Sequence, residues 1–276
     1  MKNKFSKFYF FYSCLSFLFF FPFFVVLFLF KIIIEEKFYS KEVYELKYSG
    51  NELNIINKKK IRSGFNNCLL KITCNNSFQE EDLLYKKFCL FGSFFTFWGN
   101  FFTPYGNYRK ISSKKRMINE INYNNILRNN NINAPKIIDY NFTNNSLLMN
   151  YISGQNLDCL IADDKVMYKV GRLVAKIHSL KIFLNDNTPT NYILRGKDIF
   201  IVDLEGFSNK GNKYWDLAIF VYWIERLNGN IKKFINGYET FDSKSNIDRK
   251  LLKNITDMLR LYNIIFTIGY YLRKII

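Results

Sequence analysis

The sequence predicts an α+β fold in which a small antiparallel sheet with one helix precedes a mainly helical region. Short apolar runs separated by polar turn residues dominate residues 55–152, which is the pattern of β-strands. Apolar residues recur at helical spacing over residues 166–180. With 276 residues, 49% of them hydrophobic, the chain can bury the core of one sizeable domain or of a small two-lobed one.

Five strands and one helix are expected in the first part. Each strand is a short apolar run, and Asn, Ser and Gly mark the turns around residues 63–67 and 75–77. The predicted strands are Ile55–Ile61, 68–73, 83–90, 136–140 and 146–152. Ser112 or Ser113 caps the expected helix, which runs to about residue 130 and lies between the third and fourth strands.

The second part is expected to be mainly helical. Val166, Val170 and Val174 lie on one face of a core helix, and Asp163 and Asp164 favour its amino end. A short hairpin follows at residues 192–194 and 199–202. Further helices are predicted at residues 215–227 and within 251–276.

The first 36 residues form an apolar amino-terminal segment, for which a helix is predicted. The uncharged stretch between Lys7 and Lys31, interrupted by Pro22, is about as long as the roughly 20 residues that span a membrane. Residues 8–34 would then associate with a membrane. A translated stretch upstream of the true start and a buried globular helix are the alternatives. The basic residues on either side do not fix an orientation.

Charge and cysteine usage indicate the compartment and the partners. The formal charge of +17 would attract polyanions such as nucleotides, tRNA or anionic lipid headgroups. The five cysteines have no paired spacing, and with the single His178 they offer no zinc site. We therefore expect reduced thiols in a cytoplasmic domain.

Three oxygen-bearing side chains are expected to converge. Asp186 and Asn191 lie on one loop, and the predicted hairpin returns the chain to Asp203 at the end of an apolar strand. Carboxylate and amide oxygens are ligands that Mg²⁺ prefers. Phosphoryl transfer requires such ligands together with a carboxylate that orients the attacking hydroxyl.

These residues resemble the catalytic loop and the metal-binding Asp of protein kinases. Residues 175–180, Ala-Lys-Ile-His-Ser-Leu, resemble the helix end before that loop in small atypical kinases: the kinase of the KEOPS tRNA-modification complex, the RIO kinases and the lipopolysaccharide-core sugar kinases. The resemblance implies ATP as donor, Asp186 as catalytic base, and Asn191 and Asp203 as ligands of Mg²⁺ or Mn²⁺. It also implies a two-lobed protein-kinase-like fold, with a sheet lobe at residues 50–155 and a helical lobe at 156–276.

Further landmarks follow in kinase order. The resemblance implies that Glu120, in the helix of the sheet lobe, pairs with the nucleotide lysine, which is Lys86 with Lys87 as the competitor. Ser63 and Gly64 stand where a phosphate-covering turn is expected. By the same resemblance, residues 133–138 and 149–157 match the entry to the fourth strand and the hinge. Asp216 would brace the catalytic loop, and His178 is expected to pack or hydrogen-bond beneath it.

The sequence also departs from the kinase pattern. It has no Gly-x-Gly-x-x-Gly loop, and Leu184-Asn185-Asp186 replaces the His-Gly-Asp of the small kinases. The metal-binding Asp203 is followed by Leu204 and Glu205 instead of Phe and Gly. Glu205 would either add a third carboxylate or face solvent. These departures bear on activity more than on fold.

Three functions are compatible with these features. The first is an ATP-dependent phosphotransferase of the atypical Ser/Thr protein kinase type, linked to tRNA modification, whose basic surface meets a protein or tRNA. The second is a membrane glycolipid or sugar kinase, which the apolar amino terminus would suit. The third is a non-catalytic kinase-fold scaffold.

Overall fold

The computed structural model describes residues 47–48, 51–52, 55–61, 67–76, 79–89, 112–241 and 247–261. The apolar amino-terminal segment lies outside these residues, as do Ser63 and Gly64. Within the described part of the chain, no helix has the length and hydropathy needed to cross a membrane.

In the described residues, ten strands form three sheets. Their bounds are β1 Lys47–Tyr48, β2 Asn51–Glu52, β3 Ile55–Ile61, β4 Asn67–Asn76, β5 Gln79–Phe88, β6 Ile137–Asn141, β7 Ser146–Asn150, β8 Gln155–Asn156, β9 Tyr192–Arg195 and β10 Asp198–Ile201. The main sheet is antiparallel throughout and has the order β3-β4-β5-β7-β6. Strands β10, β9 and β8 form a second sheet, and β1 pairs with β2. The predicted five-stranded antiparallel sheet is confirmed.

The alternation of side chains along β5 decides which lysine reaches the site. Leu83 and Tyr85 belong to an apolar cluster on one face of the sheet, whereas Phe88 belongs to a second cluster that includes Met117 of the neighbouring helix. Because successive strand residues point to opposite faces, Lys86 shares the face of Phe88 and Lys87 does not. Lys86 is therefore directed toward the helix.

Five helices are described. Their bounds are α1 Ser113–Asn129, α2 Asp164–Ser179, α3 Lys213–Arg226, α4 Ile231–Phe241 and α5 Arg249–Leu261. Ser112 caps α1 by accepting a hydrogen bond from the Lys115 amide at 3.2 Å. The Asp163 side chain caps α2 by accepting from the amides of Lys165 and Val166. Both predicted helix starts are confirmed.

Helix α4 was not predicted from the sequence, and it packs closely on α2. A Cβ atom on Gly237 of α4 would lie 2.0 Å from the carbonyl oxygen of Tyr168. A Cβ atom on Gly171 of α2 would lie 2.0 Å from the carbonyl oxygen of Phe234. The two glycines thus allow the helix backbones to approach each other, while Gly237 itself lowers the helix propensity by which α4 could have been recognised.

The largest core cluster fills the helical lobe between α2, α3, α4 and α5. It also includes Leu127 at the end of α1, and Ile132 and Ala134 in the segment that follows. The amide of Ile201 in β10 donates to the carbonyl of Asn133 at 2.9 Å. The carboxyl end of α1 is consequently attached to the helical lobe, while its amino-terminal half contacts the sheet.

Candidate active site

A buried lysine joins two carboxylates from different parts of the fold. The Nζ atom of Lys86, in the central strand β5, lies 2.5 Å from Oε2 of Glu120 on α1. The same Nζ lies 2.7 Å from Oδ1 of Asp203, which follows β10. The Lys86 side chain is 5% exposed and the Glu120 side chain 4%. One ammonium group of strand β5 therefore contacts both helix α1, through Glu120, and the segment after β10, through Asp203.

Burial and neighbouring charges shift the pKa values of Lys86 and Glu120 for different reasons. Burial alone would lower the pKa of Lys86, but the charges of Asp203, Glu120 and Glu205 raise it above its ordinary value. Burial raises the pKa of Glu120 to about 7, and the Lys86 ammonium only partly offsets this effect. Lys86 thus stays cationic, as a group that binds phosphate oxygens must be.

The backbone of Asp203 has a left-handed conformation, with φ 62° and ψ 60°. A single turn of 3-10 helix, Leu204–Gly206, follows it. For a non-glycine residue this region of φ and ψ costs about 1 kcal/mol, so it persists where neighbouring contacts hold it. Its side chain is 38% exposed, which leaves the carboxylate accessible from solvent.

Asp186 and Asn191 lie on a compact loop beside the second hairpin. The Nδ2 atom of Asn191 donates to the backbone carbonyl of Asp186 at 2.8 Å. The carbonyl of Asn191 accepts from the amide of Val202 at 2.9 Å, which sets Asn191 beside the residue before Asp203. The loop and the end of β10 are thus in direct hydrogen-bond contact.

The carboxyl group of Asp216 supports this loop from below. It is fully buried, and its two oxygens accept from the amides of Leu184 and Asn185, each at 2.7 Å. His178 Nε2 lies 3.0 Å from Oδ2 of Asp216, and His178 Nδ1 lies 2.8 Å from the hydroxyl of Tyr238. The contacts expected of Asp216 and His178 are present.

The residue before Asp186 compensates for one departure from the kinase pattern. Asn185, which stands where the small kinases carry Gly, has a positive φ of 59°. Asn is one of the few residues that adopt this region readily. The Nδ2 atom of Asn185 donates to the carbonyl of Gly206 at 2.9 Å. The Asn side chain thus links the loop that carries Asp186 to the turn that follows Asp203.

The sequence did not reveal the partner of Glu205. This residue does not face solvent: it is 8% exposed, and Arg116 of α1 contacts both carboxylate oxygens. No spacing rule connects residues 116 and 205, because the pair depends on how α1 packs on the turn after β10. The position of Arg116 one helical turn before Glu120 was the one available signal.

Oxygen ligands for a divalent cation are present at Asp203 and Asn191. The amide nitrogen of Asn191 is engaged by the Asp186 carbonyl, so its amide oxygen is the atom suited to a metal. The oxygens of Glu120, Asp203 and Glu205 also lie within 4.8 Å of one another. Lys86 Nζ lies 2.5, 2.7 and 4.0 Å from oxygens of Glu120, Asp203 and Glu205. The ammonium group therefore already occupies the position between these carboxylates where a cation would bind.

Several curated proteins are similar in sequence to this chain. One is a probable bifunctional tRNA threonylcarbamoyladenosine biosynthesis protein of Methanocaldococcus jannaschii, 30% identical in an alignment of 151 residues that covers 51% of this chain and 28% of that protein. Another is the EKC/KEOPS complex subunit BUD32 of Debaryomyces hansenii, 27% identical in an alignment of 134 residues that covers 41% of this chain and 51% of that protein. The chain therefore spans about half or less of the length of these two relatives. No protein-family model matches it.

A solved structure supports the fold. The streptomycin–ATP complex of the aminoglycoside phosphotransferase APH(2″)-IIa aligns with 78% of this chain and 89% of its own, with a TM-score of 0.50 and 13% sequence identity. At 13% identity the alignment supports the fold and gives no information on the substrate. The two-lobed architecture and this alignment show a protein-kinase-like fold, and the sequence is similar to the two curated relatives.

Proposed function

We propose that this chain is an ATP-dependent phosphotransferase of the atypical Ser/Thr protein kinase type with a role in tRNA modification. The observation that supports the proposal most strongly is the contact of Lys86 with both Glu120 and Asp203. These residues are far apart in sequence and occupy three separate elements. A buried cation beside an accessible carboxylate is the arrangement that nucleotide phosphates with a bound metal ion require.

Each residue has a distinct part in the proposed reaction. Lys86 would contact oxygens of the nucleotide phosphates, and Glu120 would keep its ammonium in place. Asp203 and Asn191 would hold Mg²⁺ or Mn²⁺, which when bound neutralises charge on the phosphates. Asp186 would accept a hydrogen bond from the acceptor hydroxyl and orient it for attack.

The link to tRNA modification draws on sequence similarity and on charge. Both relatives carry names that refer to tRNA threonylcarbamoyladenosine synthesis or to the KEOPS complex. The net charge of +17 suits a nucleic-acid partner, and Lys59 and Lys60 are exposed on β3. We propose on the same grounds that the chain assembles with a protein partner.

Nucleotide turnover tests the proposal. The full-length chain, purified in detergent because of its apolar amino terminus, would be incubated with radiolabelled ATP and Mg²⁺ or Mn²⁺, and phosphate release and self-labelling measured. We expect metal-dependent turnover that falls by about 100-fold or more in Asp203→Ala. The exposed Asp198→Ala serves as a matched control and should retain wild-type turnover. Wild-type turnover no higher than that of Asp203→Ala would favour the scaffold function.

A further inference from the structure

The carboxylate of Glu205 accepts hydrogen bonds from two residues of the sheet lobe, Arg116 and Asn67. Arg116 Nη1 lies 3.2 Å from Oε1 and 3.3 Å from Oε2 of Glu205. The Nδ2 atom of Asn67, in β4, donates to Oε2 at 2.9 Å. Arg116 is 1% exposed, Asn67 6% and Glu205 8%. A pair this deeply buried requires further hydrogen bonds, and the Asn67 side chain supplies one to the Glu205 carboxylate.

Arg116 is itself fixed to the end of the sheet. Its Nη2 atom donates to the carbonyl of Cys89, just beyond β5, at 2.6 Å. Its Nη1 atom also donates to Oδ1 of Asn67 at 3.3 Å. The guanidinium plane therefore has a set orientation relative to β4 and β5, which a lysine ammonium could not reproduce.

A second residue of α1 holds the backbone of the same loop. Asn119 Nδ2 donates to the carbonyl of Glu205 and to that of Phe207, each at 2.8 Å. Helix α1 thus contacts the turn after Asp203 through the Arg116 guanidinium and the Asn119 amide. The next residue of the helix, Glu120, reaches Asp203 through Lys86.

These contacts argue against Glu205 as a metal ligand. Both of its oxygens already accept hydrogen bonds, and its Oε2 atom lies 4.0 Å from Lys86 Nζ. Withdrawing the carboxylate to bind a metal would break its hydrogen bonds with Arg116 and Asn67 in the protein interior. Breaking a buried ion pair in this way is strongly destabilising.

We infer that Arg116 and Glu205 are positioning residues, which with Asn119 fix the turn after Asp203 against α1 and thereby hold the Asp203 carboxylate where it binds the metal. The inference rests on the proposed function and deepens it. The departure from Asp-Phe-Gly is then a replacement: the Glu at position 205 takes a bridging role across the lobes that a glycine could not fill.

The test compares metal and nucleotide binding in the full-length chain. Isothermal titration calorimetry would measure ATP affinity with and without Mg²⁺, and Mn²⁺ binding to the ATP complex would be followed by electron paramagnetic resonance. We expect Glu205→Gln and Arg116→Met each to weaken metal binding by roughly 10- to 100-fold, as is usual when a group that orients a metal ligand is lost. Affinity for ATP without metal should change much less.

A double variant separates positioning from metal ligation. Arg116→Met combined with Glu205→Leu removes both charges and leaves none unpaired, so we expect it to bind the metal better than either single variant. Were Glu205 a ligand, the double variant would bind no better than Glu205→Gln, and Arg116→Met would keep near wild-type metal affinity. Either of these results would overturn the inference.

Further variants cover folding and the underlying function. Arg116→Lys keeps the charge without the planar fork and is the milder change should Arg116→Met not fold; it too should weaken metal binding. Arg249→Met breaks the exposed pair with Glu239 and should leave metal binding unchanged. If Glu205→Gln and Arg116→Met lowered the unfolding temperature but left metal affinity unchanged, the inference would be overturned while the proposed function would stand. Absence of metal-dependent ATP binding in the wild type would overturn the proposed function and the inference with it.

Discussion

The loop that carries Asp186 and the turn that follows Asp203 are held in different ways. The first is supported by the buried carboxyl of Asp216, on α3, through two backbone amides. The second is held by Arg116 and Asn119 of α1 in addition to the Asn185 link from the first loop. One anchor lies within the helical lobe, and the other reaches across to the sheet lobe.

The difference separates the two halves of the proposed chemistry. The loop that carries Asp186, the proposed acceptor-side carboxylate, is anchored to α3 within the helical lobe. The metal-side carboxylate also depends on how α1 sits against the turn of residues 204–206. We therefore expect changes in the sheet lobe to act on metal binding, and changes beneath the catalytic loop to act on the stability of the helical lobe.

The largest effect is expected from Asp216→Ala. The change leaves the buried amides of Leu184 and Asn185 without their acceptor and removes the partner of His178 Nε2. We expect a loss of about 3 to 5 kcal/mol in the free energy of unfolding, measured by urea denaturation. Asp216→Asn keeps one carbonyl oxygen and should lose less. Equal, small losses in both variants would show that Asp216 does not brace the loop.

A smaller effect, which depends on pH, is expected of Glu120 on the free energy of unfolding. Its pKa of about 7 in the folded protein exceeds the ordinary value of 4.5, so the folded state holds the proton more tightly than the unfolded state. This stabilisation is complete below about pH 4.5 and is lost as the pH rises through about 7. The free energy of unfolding of wild type relative to Glu120→Gln should fall by about 3 kcal/mol over that range. A difference that is constant with pH would contradict the expectation.

A smaller effect is expected from His178→Phe. The variant keeps an aromatic ring against Phe183, whose ring centroid is 5.7 Å away, but loses the contacts with Asp216 and Tyr238. Because both loop amides remain bonded to Asp216, we expect a loss of only about 1 to 2 kcal/mol in thermal or urea unfolding. A loss as large as that of Asp216→Ala would mean that the loop is supported by the imidazole of His178 and not by the carboxyl of Asp216.

Much of the fold follows from local patterns in the sequence. The predicted bounds of β3, Ile55–Ile61, are those observed, and the starts of α1 and α2 follow from the capping residues Ser112 and Asp163. Helix α4 could not be predicted in this way. Its Gly237 is unfavourable for an isolated helix and is explained only by the close contact with α2.

The candidate site residues were proposed from their order in the sequence, whereas their contacts required the tertiary structure. The choice of Lys86 over Lys87 follows from strand alternation once the register of β5 is known. The burial of Glu205 against Arg116 joins residues that no local spacing relates, so the sequence left its role open. Ser63 and Gly64 remain predictions, since they lie outside the described residues.

The most direct measurement is the Mg²⁺ dependence of ATP affinity in wild type, Asp203→Asn and Asp186→Asn, determined by calorimetry and paired with turnover. We predict that Asp203→Asn loses most of the gain in ATP affinity that Mg²⁺ provides. Asp186→Asn should keep that gain and lose turnover. Equal loss of metal-dependent affinity in both variants, or no loss in Asp203→Asn, would contradict the assignment of the two carboxylates to separate tasks.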